Sequence, residues 1–323
     1  MEPLEPPAEA IRQDQVDAAA AVARRVQANI RRAVKVRDEV LDHVLVAFLA
    51  EGHILVEDYP GVGKTALARA LSRSIDCQFA RVQCTADLLP ADVVGTNVYN
   101  QRESRFEFRP GPIFANIVVV DEVNRASPKT QSGLLECMQE RHVTVDVHSH
   151  ELARPFLVFA TQNPVEYEGT YPLPEAQVDR FMVRLSLGYP DAEDEAGMLA
   201  GHEAGDRVLD LEAVADVAEI LAAQEAAHRV HASRALRDYV VALLRETRAD
   251  PRVELGASPR AGLMLLRAAK ARAVLEGRDH ALPDDVQALA QAVLAHRLMM
   301  VPESAGIDRS EIVADTVAAV PAL

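Results

Sequence analysis

A short apolar run, His53-Ile54-Leu55-Val56-Glu57, breaks into Asp58-Tyr59-Pro60-Gly61-Val62-Gly63-Lys64-Thr65, and a helical pattern from Ala66 to Ser72 follows at once. Strand, glycine-rich turn and helix in that order make a phosphate-binding loop, and they force a strand–loop–helix unit on the fold. Successive backbone N–H groups form a nest and the helix N-terminus adds partial positive charge. Lys64 reaches the terminal phosphates, and the Thr65 hydroxyl is placed to hold Mg²⁺. A nucleoside triphosphate is therefore the ligand predicted for Asp58, Tyr59, Pro60, Gly61, Val62, Gly63, Lys64, Thr65 and Ala66. One position departs from the G-x-x-x-x-G-K-[ST] pattern: Asp58 stands where glycine is usual, so its carboxylate must point away from the phosphates.

A second strand-like run, Ile117-Val118-Val119-Val120, ends in Asp121-Glu122. Downstream of a phosphate loop, this pairing predicts that Asp121 holds Mg²⁺ through its water shell and that Glu122 orients and deprotonates an attacking water. A third run, Phe156 to Ala160, leads into Thr161-Gln162-Asn163-Pro164. In a parallel sheet the carboxyl ends of the strands face one crevice, which would set Asn163 beside Asp121 and the γ-phosphate. The bland alternative is that Asn163 before proline is a turn residue only.

Strands alternate with helical patterns such as Thr130 to Glu140, which predicts a parallel sheet covered on both faces. After Gly188-Tyr189-Pro190 only helical periodicity remains, for example over Leu211 to Ala227, Ser233 to Arg248 and Pro259 to Glu276. Ser258 with Pro259, and Pro283-Asp284-Asp285, mark helix starts. At 323 residues two domains are expected, with little aromatic packing because there is no Trp and aromatics total 4%. Met1 to Ala8, rich in Pro and Glu, reads as a disordered lead-in.

The formal charge of −15 argues against a surface that embraces nucleic acid. Cys77, Cys84 and Cys137 lack metal or disulfide spacing and read as buried thiols. No signal-like or membrane-spanning apolar run is visible, so a cytoplasmic setting is expected. Two segments read as insertions: Gly95 to Pro112, with Phe106-Glu107-Phe108, and the alternating Val143-Thr144-Val145-Asp146-Val147. The His148-Ser149-His150 pair suits a solvated hairpin tip better than a metal site.

These residues, with Val123-Asn124-Arg125-Ala126 and above all the run from Gly169 through Thr170-Tyr171-Pro172-Leu173-Pro174-Glu175-Ala176-Gln177-Val178-Asp179-Arg180 to Phe181, closely resemble the MoxR family of AAA+ ATPases over roughly residues 28 to 297. The resemblance implies an α/β fold, a P-loop three-layer αβα sandwich over residues 28–190, followed by a small all-helical lid over 191–323 and preceded by a lead-in over 1–27. It matches Gly61, Gly63, Lys64 and Thr65 to Walker A, Asp121 and Glu122 to Walker B, and Asn163 to sensor 1. Arg180 matches the arginine finger presented to a neighbour's ATP, and Arg260 the sensor-2 arginine of the lid. The segments about 95–112 and 141–155 match the helix-2 insert and the hairpin before sensor 1. Val36 stands where related sequences carry glycine near the adenine.

The activity so implied is Mg²⁺-dependent ATP hydrolysis by a homo-oligomer, a hexameric ring, that remodels or matures a protein client. A partner with a von Willebrand factor A domain and a task in metal-cofactor insertion belong to the same expectation. Three alternatives stay open: the same engine acting on nucleic acid, a nucleotide-dependent scaffold with little turnover, and a small-molecule P-loop kinase.

Overall fold

The computed structural model describes residues 11–59, 61–146, 148–163, 170–189, 207–304 and 306–322. Its apolar runs become β1 (Ile54–Glu57), β5 (Ile117–Asp121) and β8 (Leu157–Gln162), with β2 (Phe79–Gln83) and β9 (Val183–Leu185) completing a five-stranded sheet ordered β2-β5-β8-β1-β9. Every pairing in it is parallel. All five residues of β5 are buried, as a strand covered on both faces requires. Neither β2 nor β9 stands out as an apolar run. β2 is a half-exposed edge strand and β9 has only three residues, so both owe their place to pairing with stronger neighbours.

Helices α1 (Gln13–Ala33), α2 (Asp38–Leu49), α3 (Lys64–Ser74), α4 (Pro90–Val94), α5 (Pro128–Glu140) and α6 (Glu175–Val178) accompany the sheet in chain order. α5 shows how sequence fixes an element: the Ser127 hydroxyl accepts from the Thr130 N–H at 3.3 Å and Pro128 takes the first helical position. Its Leu134, Leu135 and Met138 then join Val118, Val120, Val158 and Phe181 in the core. Leu135 is wholly buried, and truncating such a residue to alanine costs about 2–5 kcal/mol.

Two antiparallel hairpins occupy the insertions, β3 (Gly95–Asn100) with β4 (Arg105–Pro110) and β6 (His142–Val145) with β7 (His148–Glu151). They touch: Asn97 donates to Asp146 at 2.6 Å, and the His150 ring stacks on Phe108 with centroids 3.9 Å apart. His148-Ser149-His150 is thus not the hairpin tip. The turn falls at Asp146, whose φ is 55°, and the two histidines lie within strand β7. Among the described residues no group of three or more His, Cys, Asp or Glu side chains could hold a metal.

Residues 25–218 form one compact unit, and residues 219–323 together with 1–24 form another. The latter contains the helices Arg234–Ala249, Pro259–Leu275, Pro283–Leu294 and Arg309–Ala319, together with a short antiparallel ribbon, β10 (Val253–Leu255) with β11 (Met299–Met300). Gly262 permits a close helix crossing, since a Cβ there would sit 2.6 Å from Leu244 Cδ1. Buried Asp285 is held by both Nη atoms of Arg278, at 2.6 and 2.9 Å, and receives the Leu282 N–H ahead of its helix. Among the described residues no helix is long and apolar enough to cross a membrane. The lead-in Met1 to Ala8, Pro60, Pro164 to Gly169 and the start of the region after Tyr189 lie outside the described residues.

Candidate functional site: a phosphate cavity at the carboxyl edge of the sheet

The loop after β1 turns on Gly61 and Gly63, with φ of 87° and 89°. A Cβ at either would meet nothing within 4 Å, so the backbone angle, not lack of space, is what calls for glycine. Gly63 caps α3, whose first N–H groups have no partner within the helix, and Lys64, Thr65 and Ala66 of that first turn line a cavity of about 340 Å³. Lys64 Nζ donates to the Asp58 carbonyl oxygen at 2.7 Å. Burial, the largest influence, holds the Lys64 ammonium below its ordinary pKa, against the pull of Asp58, Asp121 and Glu122.

The Asp58 carboxylate is not part of the lining. Its Oδ1 accepts from the Tyr59 N–H at 2.9 Å, and its Oδ2 from the Gly188 N–H at 2.8 Å and the Ser186 hydroxyl at 3.3 Å. The side chain that breaks the loop pattern thus fastens the loop to the segment after β9. Tyr59 stacks on Tyr189 with centroids 5.7 Å apart, and neither Tyr59 nor Val62 lines the cavity.

Opposite the loop, β5 delivers Asp121, 7% exposed, and then Glu122. Glu122 has φ 56° and ψ 51°, a left-handed conformation that costs of order 1 kcal/mol for a residue with a Cβ. Its N–H donates to Thr161 Oγ1 at 3.0 Å, and that hydroxyl in turn donates to Asp121 Oδ1 at 3.3 Å. One threonine on β8 therefore sets both acidic residues. Glu122 Oε2 accepts from Gln83 Nε2 at 2.9 Å and Arg125 Nη1 at 3.1 Å, while Asp121 Oδ2 accepts from Arg81 Nε at 2.6 Å. Asn163, at the end of β8 and 9% exposed, lines the same cavity.

Lys64, Thr65, Asp121, Glu122 and Asn163, singled out from sequence, thus share one cavity. Arg81, Gln83 and Thr161 join them there without having been expected. No local signal marks Arg81 and Gln83, because β2 does not stand out in the sequence and only its register on β5 brings them to the cavity. A hydroxyl and a carboxylate as the oxygen donors, with room for water, suit Mg²⁺, which keeps most of its hydration shell.

Arg180 is elsewhere. It follows α6 and lines a different cavity of about 480 Å³ with Ser132, Leu135, Glu136, Glu140, His142 and Gln177. Arg260 sits in the first turn of Pro259–Leu275, where the Ser258 hydroxyl accepts from the Ala261 N–H at 3.1 Å.

Residues 53–183 match the ATPase family associated with various cellular activities (AAA), and residues 245–316 match the AAA lid domain. The chain is 50% identical over 278 residues to YeaC, an uncharacterised protein of Bacillus subtilis, covering 85% of this chain and 87% of YeaC. With the chaperone MoxR1 of Mycobacterium tuberculosis it shares 40% identity over 280 residues, 84% of this chain and 74% of that protein. Protein MoxR of Methylorubrum extorquens is 34% identical over 97% of this chain and 96% of its own length. In structure, a candidate ATPase from Cytophaga hutchinsonii superposes with a TM-score of 0.89 at 36% identity, over 96% of this chain and 97% of that one.

Proposed function

The chain belongs to the MoxR family of AAA+ ATPases, and from that premise we propose that it hydrolyses ATP to ADP and phosphate as a homo-oligomeric ring acting on a protein client. The observation that carries this reading is the gathering of Lys64, Thr65, Asp121, Glu122 and Asn163 around one 340 Å³ cavity at the carboxyl edge of a parallel sheet.

Each residue of that cavity has a role that its place supports, and Arg180 and Arg260 have roles that rest on the resemblance. The N–H groups of Gly63 to Ala66 and the Lys64 ammonium bind the β- and γ-phosphates. Thr65 and, through water, Asp121 hold Mg²⁺, which when bound neutralises charge on the phosphate oxygens. Glu122 orients a water and accepts its proton as the new oxygen–phosphorus bond forms and the bond to the ADP oxygen breaks. Asn163 contacts the γ-phosphate and that water. Arg180 of a neighbouring copy and Arg260 of the lid supply guanidinium groups to the transferred phosphoryl.

The assembly is proposed to be hexameric, and the client class that the resemblance implies is a protein with a von Willebrand factor A domain. A charge of −15 weighs against a nucleic-acid substrate. Glu122→Gln tests the assignment: turnover falls by about 10²–10⁴-fold, the usual contribution of a general base, while ATP binding persists. Turnover that survives this change undiminished removes Glu122 from the role.

A further inference from the structure

Strand β2 lies at the sheet edge, and its parallel register with β5 sets Gln83 opposite Asp121 and Arg81 opposite Val119. Because side chains alternate along a strand, Arg81 and Gln83 share a face, and both reach the phosphate cavity. Arg81 Nε donates to Asp121 Oδ2 at 2.6 Å, and its Nη2 reaches Gln83 Oε1 at 3.3 Å. The other Asp121 oxygen already accepts from the Thr161 hydroxyl. Both oxygens of the proposed metal-binding carboxylate are therefore engaged by the protein, one of them by a full positive charge.

The two partners are unequal in exposure. The Asp121 side chain is 10% exposed and fixed by strand and hydroxyl, whereas the Arg81 side chain is 55% exposed and approaches from the solvent side. Arg81 can withdraw without disturbing the core, and Asp121 cannot. A hydrated dication held by Thr65 and Asp121 would sit beside a carboxylate that already carries a guanidinium on Oδ2, and repulsion between two cations on one carboxylate is stronger in a half-buried cleft than in water.

Resting on the ATPase reading, we infer that Arg81 is a positioning residue that competes with Mg²⁺ for Asp121. It holds the carboxylate oriented and neutralised until the metal, arriving with the nucleotide, drives it off. The Mg²⁺ requirement of the site is thereby set above what Thr65 and Asp121 alone would give.

The sign of the effect separates this role from a merely structural one. If Arg81 only braced Asp121, its removal would loosen the metal site and raise the Mg²⁺ requirement. If it competes, removal lowers it. The test uses the full chain with a saturating fluorescent, non-hydrolysable ATP analogue, titrated with Mg²⁺ and repeated with Mn²⁺ read by electron paramagnetic resonance. Analogue affinity in EDTA is measured in parallel.

For Arg81→Ala the half-saturating metal concentration is expected to fall about fivefold, from loss of one like charge beside the metal. Arg81→Lys, which keeps the charge, stays close to the wild type, and Arg81→Gln behaves as Arg81→Ala and serves if the alanine variant folds poorly. An unchanged or raised half-saturation in Arg81→Ala and Arg81→Gln, with analogue still bound by the wild type, overturns the competition while leaving the ATPase reading intact. A wild type that binds no analogue overturns both.

Discussion

In the unit of residues 25–218, the phosphate cavity of about 340 Å³ and the Arg180 cavity of about 480 Å³ differ in chemistry. The phosphate cavity is built for an anion with a metal: Lys64 and the start of α3 on one side, Asp121 and Glu122 on the other, each carboxylate already fixed by Arg81, Thr161, Gln83 or Arg125. The other holds a single arginine, Arg180, lined also by Glu136 and Glu140, with no phosphate loop near it in the lining. Neither looks complete as a catalytic site. Among the described residues the first is lined by no arginine other than the one committed to Asp121, and the second has a guanidinium but no phosphate loop. Under the function proposed above, Arg180 belongs to a neighbouring copy's site, and the two cavities are then parts of a site divided between copies.

The largest expected effect bears directly on that division. Arg180→Ala should lower turnover by about 10³-fold or more, as removal of an arginine finger does elsewhere, while the phosphate cavity of the same chain keeps its ATP affinity. Steady-state hydrolysis and nucleotide binding measured side by side check this. Loss of binding along with turnover would place Arg180 in the cavity of its own chain and erase the contrast.

A smaller effect concerns Asp58. Asparagine there cannot accept from Tyr59, Ser186 and Gly188 together, so one donor is left unmatched at about 1–3 kcal/mol. Asp58→Asn should therefore lower the melting temperature and weaken ATP binding. Were the carboxylate instead facing the phosphates, removing its charge would tighten binding, which is the opposite sign.

Smaller again is the alkaline limb of the pH profile. Burial lowers the Lys64 pKa, so its ammonium is lost at a lower pH than an exposed lysine would need, and phosphate binding weakens as pH rises through that point. KM for ATP should therefore rise in the alkaline range, at a lower pH than an exposed lysine would give. A KM that stays flat until ordinary lysine values are reached contradicts this.

The smallest is a null. Burial pushes the thiols of Cys84 and Cys137 up to about 12 and that of Cys77 to about 11, so alkylating reagents at neutral pH should leave turnover unchanged. Mass spectrometry of the native chain would show little modification of the buried pair.

What sequence could reveal here followed the range of the forces involved. The phosphate loop, the apolar strand before Asp121 and the Ser258-Pro259 helix start are written in adjacent residues, because turns, caps and buried strands are local. Arg81 and Gln83 were invisible as site residues, since their meaning comes from the register of β2 on β5. The direction of Asp58 depends on a donor 130 residues away, at Gly188. The histidines of β7 were misplaced at a tip because the left-handed turn at Asp146 is not encoded by glycine. The role proposed for Arg180 rests on resemblance alone, and its cavity comes from the packing of α5, β6 and α6, which no local pattern announces.

The division of the site is tested most directly by mixing two inactive variants. Arg180→Ala keeps an intact phosphate cavity, and Glu122→Gln keeps an intact Arg180. If the site is shared, co-assembled rings contain interfaces where a wild-type cavity meets a wild-type Arg180, and ATP hydrolysis reappears on mixing. Co-assembly confirmed by native mass spectrometry, with hydrolysis no greater than the sum of the two variants alone, would contradict the shared site.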